Sequence, residues 1–283
     1  MKKVLSAILL AALVLTLVAC GTKNDGNKDN ASSGDDAKKE TTLVIGASNI
    51  PHAIILEKVK PLLKDEGIDL VIEQYTDYIL PNSDLDSGEI DANYFQHIPY
   101  LESSMKDHGY DFVKAGEIHI EPIGVYSKKY KSLKELPEGA TILMSNSIAD
   151  HGRVLAMLET QGLIKLDEDV EKTTAEVKDI IDNPKNIKFE ADYEAALLPQ
   201  LYNNDEGDAV LINSNYALDA GLNPLEDSIA LEETDSPYVN VIAVRKGDED
   251  KAEIKALIEA LKSKEIQDFI LEEWEGSIVP VKE

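Results

Sequence analysis

Apolar and polar positions along this chain repeat in two periods. Short β-branched runs stop at a glycine or a capping residue, and stripes at helical spacing follow them. Residues 41–47 (TTLVIGA) read as a strand. Ser48 and Asn49 then offer caps, and Pro51 suits a first helical turn. Ile54, Ile55, Val59, Leu62 and Leu63 form a helical stripe to about residue 66, where Gly67 ends it. Residues 69–75 (DLVIEQY) are the next strand, so a right-handed parallel crossover is expected. Ligands of such units sit beyond the carboxyl ends of the strands, which puts Ser48, Asn49 and residues 76–78 on a ligand-facing rim. A short helix or turn over 83–88, a helix reaching 105–108, and strands over 111–115 and 118–126 complete the first block.

The pattern restarts after residue 131. A short helix over 133–136 precedes a strand over 140–144 and the capping cluster Ser145, Asn146 and Ser147. Helices are predicted over 148–161, 170–181 and 193–201, with strands over 187–189 and 208–212. Asn213, Ser214 and Asn215 cap a helix reaching Leu218. Residues 239–244 (VNVIAV) are a strong strand, and two acidic amphipathic helices follow over 251–261 and 266–274. Two such blocks predict two α/β lobes of related build. The expected division is 41–124 with 241–283 as lobe 1, and 125–240 as lobe 2. The late strand returns the chain to lobe 1, so two crossing strands form a hinge beside a cleft.

The first forty residues do not fit either block. Lys2 and Lys3 precede an apolar run over 4–18, too short for a good spanning helix, and Leu17-Val18-Ala19-Cys20 follows. Residues 1–20 therefore read as a secretory leader whose end resembles the bacterial lipobox, in which the cysteine is lipidated and becomes the new first residue. Cys20 is the only cysteine, so no disulfide supports the fold. Residues 21–40 are rich in Asn, Asp, Gly, Ser and Lys without apolar periodicity, and read as a flexible tether. The formal net charge of −26 excludes a phosphate-neutralising surface and hence nucleic acid as a partner.

Candidate chemistry concentrates in residues 88–101 (GEIDANYFQHIPYL). There Asn93, Tyr94, Phe95, Gln96, His97 and Tyr100 bring amide, imidazole and aromatic groups to one turn, and Pro99 limits how the next helix starts. Polar groups among ring faces suit a small zwitterion with an apolar tail, although such rings also serve simply to fill a core. Arg153 and Arg245 are the only arginines. A guanidinium grips a carboxylate with two parallel hydrogen bonds, which a lysine cannot do.

Several motifs taken together resemble one family. They are residues 46–53 (GASNIPHA), 76–82 (TDYILPN), 91–101 (DANYFQHIPYL), 212–217 (INSNYA) and 236–242 (SPYVNVI). They resemble the NlpA/MetQ-type substrate-binding lipoproteins of methionine ABC importers. The resemblance implies the α/β, two-lobed periplasmic-binding-protein (type II) fold. It also implies a monomeric, lipid-anchored receptor on the extracytoplasmic face of the cell membrane, which hands methionine to a permease driven by a cytoplasmic ATPase. The implied ligand-contacting positions are Tyr78, Phe95, His97, Tyr100, Asn146, Arg153, Asn213 and Asn240. Cys20 would carry the lipid, with no catalytic residue, metal ligand or cofactor. One run departs from the family, whose methionine-binding members tend to carry Pro-Asn-Asp-Pro-Thr-Asn-x-Gly-Arg. Residues 145–153 here read SNSIADHGR, without either proline and with Asp150 replacing the second asparagine. An acid there could pair with a ligand ammonium, or favour another amino acid or a small peptide.

Two rival classes remain at this level. A zinc-type metal receptor of the same build would need clustered ligands, and none of His52, His97, His108, His119 and His151 is expected to form a close ligand pair. An enzyme would need a nucleophile elbow, a phosphate loop or a free thiol, and none is legible.

Overall fold

The computed structural model describes residues 40–281. The leader, Cys20 and nearly all of the tether lie outside the described residues.

The first block runs β1 (Thr41–Ser48), α1 (Ile54–Asp65), β2 (Ile68–Tyr75), α2 (Leu80–Ser87), β3 (Ala92–His97), α3 (Ile98–His108) and β4 (Phe112–Ile120). The second runs β5 (Gly124–Tyr126), β6 (Thr141–Ser145), α4 (Ile148–Thr160), β7 (Lys165–Leu166), β8 (Ile180–Asp182) and β9 (Lys188–Tyr193). It continues through α5 (Leu198–Asn203), β10 (Ala209–Ile212), α6 (Ser214–Asp219), α7 (Pro224–Asp227) and β11 (Ser228–Leu231). Last come β12 (Val239–Arg245), α8 (Ala252–Lys262), α9 (Lys264–Glu273) and β13 (Val279–Pro280).

These strands build a six-stranded sheet, ordered β13-β4-β12-β3-β1-β2, and a five-stranded sheet, ordered β11-β5-β10-β6-β9. β1 is parallel to β2 and β3, and β12 enters antiparallel between β3 and β4. In the second sheet β6 is parallel to β9 and β10, and β5 runs antiparallel to β10 and β11. The chain thus passes between the sheets twice, at residues 121–123 and 232–238.

Each sheet has its own core. Leu43 and Ile45 of β1 meet Ile55, Leu56, Val59 and Leu63 of α1, with Leu257 and Leu261 of α8 and Ile266 and Ile270 of α9. These positions recur at three and four residues, so α1, α8 and α9 each bury one face. In the second sheet Ile142 and Met144 of β6 pack on Val154, Leu155 and Leu158 of α4.

Three expectations from sequence need correction. The first helix starts at Ile54, because Ile50 is extended (φ −128°, ψ 134°), as a residue before proline favours. Ser48 makes no side-chain cap there, and Asn49 bonds Asp219 instead. The strands expected over 111–115 and 118–126 are β4, a single strand, and then β5 in the other sheet. The break falls at Glu121–Pro122–Ile123, where proline has no N–H for a ladder. The helix expected over 170–181 is two 3-10 turns, Lys172–Thr174 and Val177–Asp179, followed by β8. Here side chains compete for the backbone: Thr174 Oγ1 donates to the Glu171 carbonyl, and Glu176 N–H donates to Asp179 Oδ2 at 2.8 Å.

The first of those turns lies against α4 at Gly152. A Cβ at 152 would stand 2.7 Å from the Thr173 carbonyl oxygen and nearer still to that of Lys172. Backbone carbonyls cannot swing aside as a side chain can, so Gly152→Ala forces α4 and the turn apart. Its expected cost is about 1–3 kcal/mol, the range for overpacking. Urea unfolding should show a lower midpoint at unchanged slope.

Candidate functional site

Between the two sheets lies a cavity with about 370 Å³ of atom-free space, part of it open to solvent. Seven of the eight positions expected from sequence line it: Tyr78, Phe95, His97, Tyr100, Arg153, Asn213 and Asn240. Gln96, Glu121, Asp150, Ser214 and Asn215 complete the lining. Asn146 is the exception. It is exposed and absent from the lining, because the chain turns outward after β6, with Asn146 N–H donating to the Tyr193 carbonyl at 2.8 Å.

The rings form one wall. Tyr78 lies 6.0 Å from Phe95, 5.9 Å from Tyr100 and 4.9 Å from Tyr216, centroid to centroid. The turn carrying Tyr78 is tied down on both sides. Tyr100 Oη donates to the Tyr78 carbonyl at 2.8 Å, and Tyr78 Oη donates to Asn215 Oδ1 at 2.6 Å, linking the first block to α6. Beneath that turn a buried amide cluster joins α2 to β3: Asn82 Nδ2 donates to Gln96 Oε1 at 3.0 Å, and Gln96 Nε2 to Asn82 Oδ1 at 2.8 Å. Arg245 lies outside the cavity lining and closes the end of α2 by donating to the carbonyls of Leu85 and Ile90.

The charged wall centres on Asp150 and Arg153, both buried on the first turns of α4. Asp150 Oδ1 accepts from His97 Nε2 at 3.0 Å and Oδ2 from Asn213 Nδ2 at 3.2 Å, and Arg153 Nη1 stands 3.7 Å away. Burial alone would raise the Asp150 pKa. The His97 hydrogen bond, the Arg153 charge and the Asn213 amide outweigh burial and hold the carboxyl well below its usual range. His97 is oriented for this by Tyr100 N–H, which donates to Nδ1 at 3.1 Å and leaves Nε2 to carry the proton. Asn213 occupies the N-cap position of α6, yet its side chain makes no cap bond and turns to Asp150. Its Oδ1 is buried without a partner. The cap expected from Ser145–Ser147 is likewise absent: Ser147 precedes α4 with no side-chain cap bond.

Arg153 Nη2 donates to the Glu121 carbonyl at 3.2 Å, Nε lies 3.3 Å from Glu232 Oε2, and the guanidinium sits 4.9 Å from the Tyr238 ring centre. Burial works against its charge, but the Glu232 and Asp150 carboxylates overcome that and raise its pKa. Arg153 is therefore no surface ion pair. It touches both segments that cross between the sheets.

Behind Asn240 lies a group that sequence distance concealed. His52, His119 and Glu121 converge, with His52 Nε2 3.0 Å and His119 Nε2 2.7 Å from the same Glu121 Oε1. His52 and His119 are thus neighbours in space, contrary to the expectation that no histidines pair. Two ligand atoms sharing a tetrahedral zinc at about 2.0–2.1 Å would stand roughly 3.3 Å apart. Of the two contacts, that between His119 and Glu121 is a hydrogen bond. Burial lowers the His52 pKa to about 4 and the His119 pKa to about 3, so both rings are neutral at pH 7. Burial raises the Glu121 pKa, opposed by His52 and Arg153.

Sequence reading did not single out Glu121 or Asn215 as site residues, and it weighed His52 and His119 only among the histidines that a metal would need. A faint signal existed for Glu121, a lone acid inside the apolar run IHIEPIGVY just where a proline ends a strand.

Two sheets of this order, crossed twice by the chain and walling a charged, ring-lined cavity, define a two-lobed periplasmic-binding-type protein. Residues 43–282 match the NlpA lipoprotein family, and the chain belongs to it. It is 50% identical over 285 residues to the methionine-binding lipoprotein MetQ of Bacillus subtilis (strain 168), covering 100% of both chains. Among solved structures, a pheromone cOB1 precursor/lipoprotein of the YaeC family from Enterococcus faecalis V583 is similar at TM-score 0.83 and 56% identity, over 85% of this chain and 100% of that one. A nutrient-binding protein from Burkholderia cenocepacia bound to methionine is similar at TM-score 0.80 and 43% identity, over 85% and 100%. No helix among the described residues is long and apolar enough to cross a membrane.

The depressed Asp150 pKa makes a test. A carboxylate whose folded pKa lies below its unfolded value of about 3.9 adds stability above that pH and loses it as pH falls through the folded pKa. Asp150→Asn should therefore cost about 3–5 kcal/mol at pH 7, the range for breaking a buried ion pair. Urea unfolding at pH 3 should show a smaller deficit than at pH 7.

Proposed function

We propose that this chain is the lipid-anchored receptor of an ABC importer for methionine, a binding protein and not an enzyme. Cys20 carries the lipid and holds the protein at the extracytoplasmic face of the membrane. The tether leaves the folded body free to meet the permease, which a cytoplasmic ATPase drives.

The observation that carries the reading is the pairing, in one interlobe cavity, of the Arg153 guanidinium with the rings of Tyr78, Phe95 and Tyr100. A free amino acid presents a carboxylate, an ammonium and a side chain. Arg153 suits the carboxylate. The unpartnered Asn213 Oδ1 suits the ammonium. The rings suit a thioether, since sulfur–ring contacts are modestly favourable. The names of the relatives point the same way, as does the methionine bound in the Burkholderia protein.

Residues 41–124 with 241–283 act as one lobe and 125–240 as the other, hinged at the two crossing segments. Tyr78, Phe95, His97 and Tyr100 come from the first, Arg153 and Asn213 from the second, and Asn240 stands at the boundary between them, on β12. Only a closed form meets a ligand from both sides, so methionine shifts the open–closed equilibrium toward closure. The receptor works as a monomer and needs no cofactor.

Calorimetry with methionine tests the reading: saturable binding is expected, and its absence would overturn it. Arg153→Ala should weaken that binding by about 2–5 kcal/mol, the range for truncating a buried charged partner. Unchanged affinity in a folded variant would remove Arg153 from the site. Cys20→Ser should move the protein from the membrane fraction to the medium or periplasm, as fractionation would show.

A further inference from the structure

Hydrogen bonds run from the core to the cleft through the histidines and the carboxylate behind Asn240, with both histidines directed at Glu121. Tyr94 is fully buried, and its hydroxyl meets His119 Nδ1. A buried hydroxyl proton needs an acceptor, so Tyr94 donates and Nδ1 accepts. The neutral His119 then carries its proton on Nε2 and donates it to Glu121 Oε1 at 2.7 Å. That oxygen is now an acceptor. With Glu121 ionised, His52 Nε2, 3.0 Å from it, is also a donor, because two lone pairs would otherwise face each other. The same His52 Nε2 lies 3.1 Å from the Asn240 side chain, so its single proton is shared between that side chain and Glu121. A donor there demands the carboxamide oxygen, whichever way the amide might otherwise turn. His52 Nδ1 is buried without a partner, as befits the ring's acceptor nitrogen in this tautomer.

We propose that His52 is a positioning residue: held by Glu121, it fixes the Asn240 carboxamide with Oδ1 inward, so that Nδ2 is presented to the cleft as a donor. The inference rests on the cleft being an amino-acid site and names how that site tells one end of its ligand from the other. Asn213 is set in the opposite sense. Its Nδ2 is engaged by the Asp150 carboxylate at 3.2 Å, which leaves Oδ1 as its free atom. An asparagine amide is ambiguous by itself, since its two ends have similar shape and opposite polarity. Two buried carboxylates remove the ambiguity, Asp150 directly and Glu121 through His52. The ligand's ammonium therefore lies on the Asn213 side, and its carboxylate lies against Asn240 Nδ2 beside Arg153.

The test has a part that needs no ligand. In the full protein in detergent micelles, labelled with ¹⁵N-histidine, NMR should show His52 at pH 7 as the neutral Nε2–H tautomer. An Nδ1–H tautomer or an imidazolium would overturn the relay. The second part compares methionine with methioninamide, which lacks the carboxylate charge. His52→Leu should weaken methionine about tenfold or more, as loss of a hydrogen bond to a charged group does, and methioninamide less. The preference between the two ligands therefore shrinks. His52→Gln, which keeps a donor at that end, should restore it. A folded His52→Leu protein with the wild-type preference would sink the proposal. If the wild type binds no methionine while His52 holds the Nε2–H form, the ligand reading fails and the relay stands.

Discussion

The Arg153 guanidinium is the point on which both passages between the sheets converge. It donates to the Glu121 carbonyl on one crossing, and it pairs with Glu232 and lies on the Tyr238 ring on the other. A buried charge is costly unless it is paired and hydrogen-bonded. Its partners come from both crossings and from Asp150 of its own helix, so the charge holds these segments together. In the proposed function a ligand carboxylate at Arg153 would meet a group already bonded to both crossings, which would couple binding to lobe geometry.

Acid outweighs base around the cavity. Asp150, Glu121 and Glu232 surround a single guanidinium, and His52 and His119 are kept neutral by burial. Such a site favours a ligand that brings a positive group of its own. Uncharged atoms then decide direction. The amides of Asn213 and Asn240 are too alike to discriminate the ends of a zwitterion until their neighbours set them, and those neighbours are carboxylates and a tautomer. The neutral histidines act through the position of a proton rather than through charge.

Much of the fold was legible because it depends on local pattern. Strand β1, helices α1, α4, α8 and α9, and strand β12 follow from short β-branched runs and three-to-four spacing of apolar residues. The reading failed where local and tertiary demands differ. The 170–181 stretch has helical spacing, but its threonines and acids bond their own backbone, and the bare face of Gly152 draws the turn against α4. Asn213 has the residue type and position of a cap, and Asn146 sits in a run shared with the family. Yet the first turns inward to Asp150 and the second lies exposed.

The sequence by itself determined the alternation of strands and helices, the two blocks, and the clustering of Tyr78, Phe95, His97 and Tyr100. These depend on residues close together in the chain, whose periodicity and order are visible in one dimension. Only the tertiary structure decided that His52, His119 and Glu121 share one oxygen, that Arg153 bridges both crossings, and that each asparagine amide has one fixed polarity. Those features arise from groups tens to hundreds of residues apart, 188 between His52 and Asn240. Their chemistry lies in a hydrogen-bond direction, which exists only once both partners are in place.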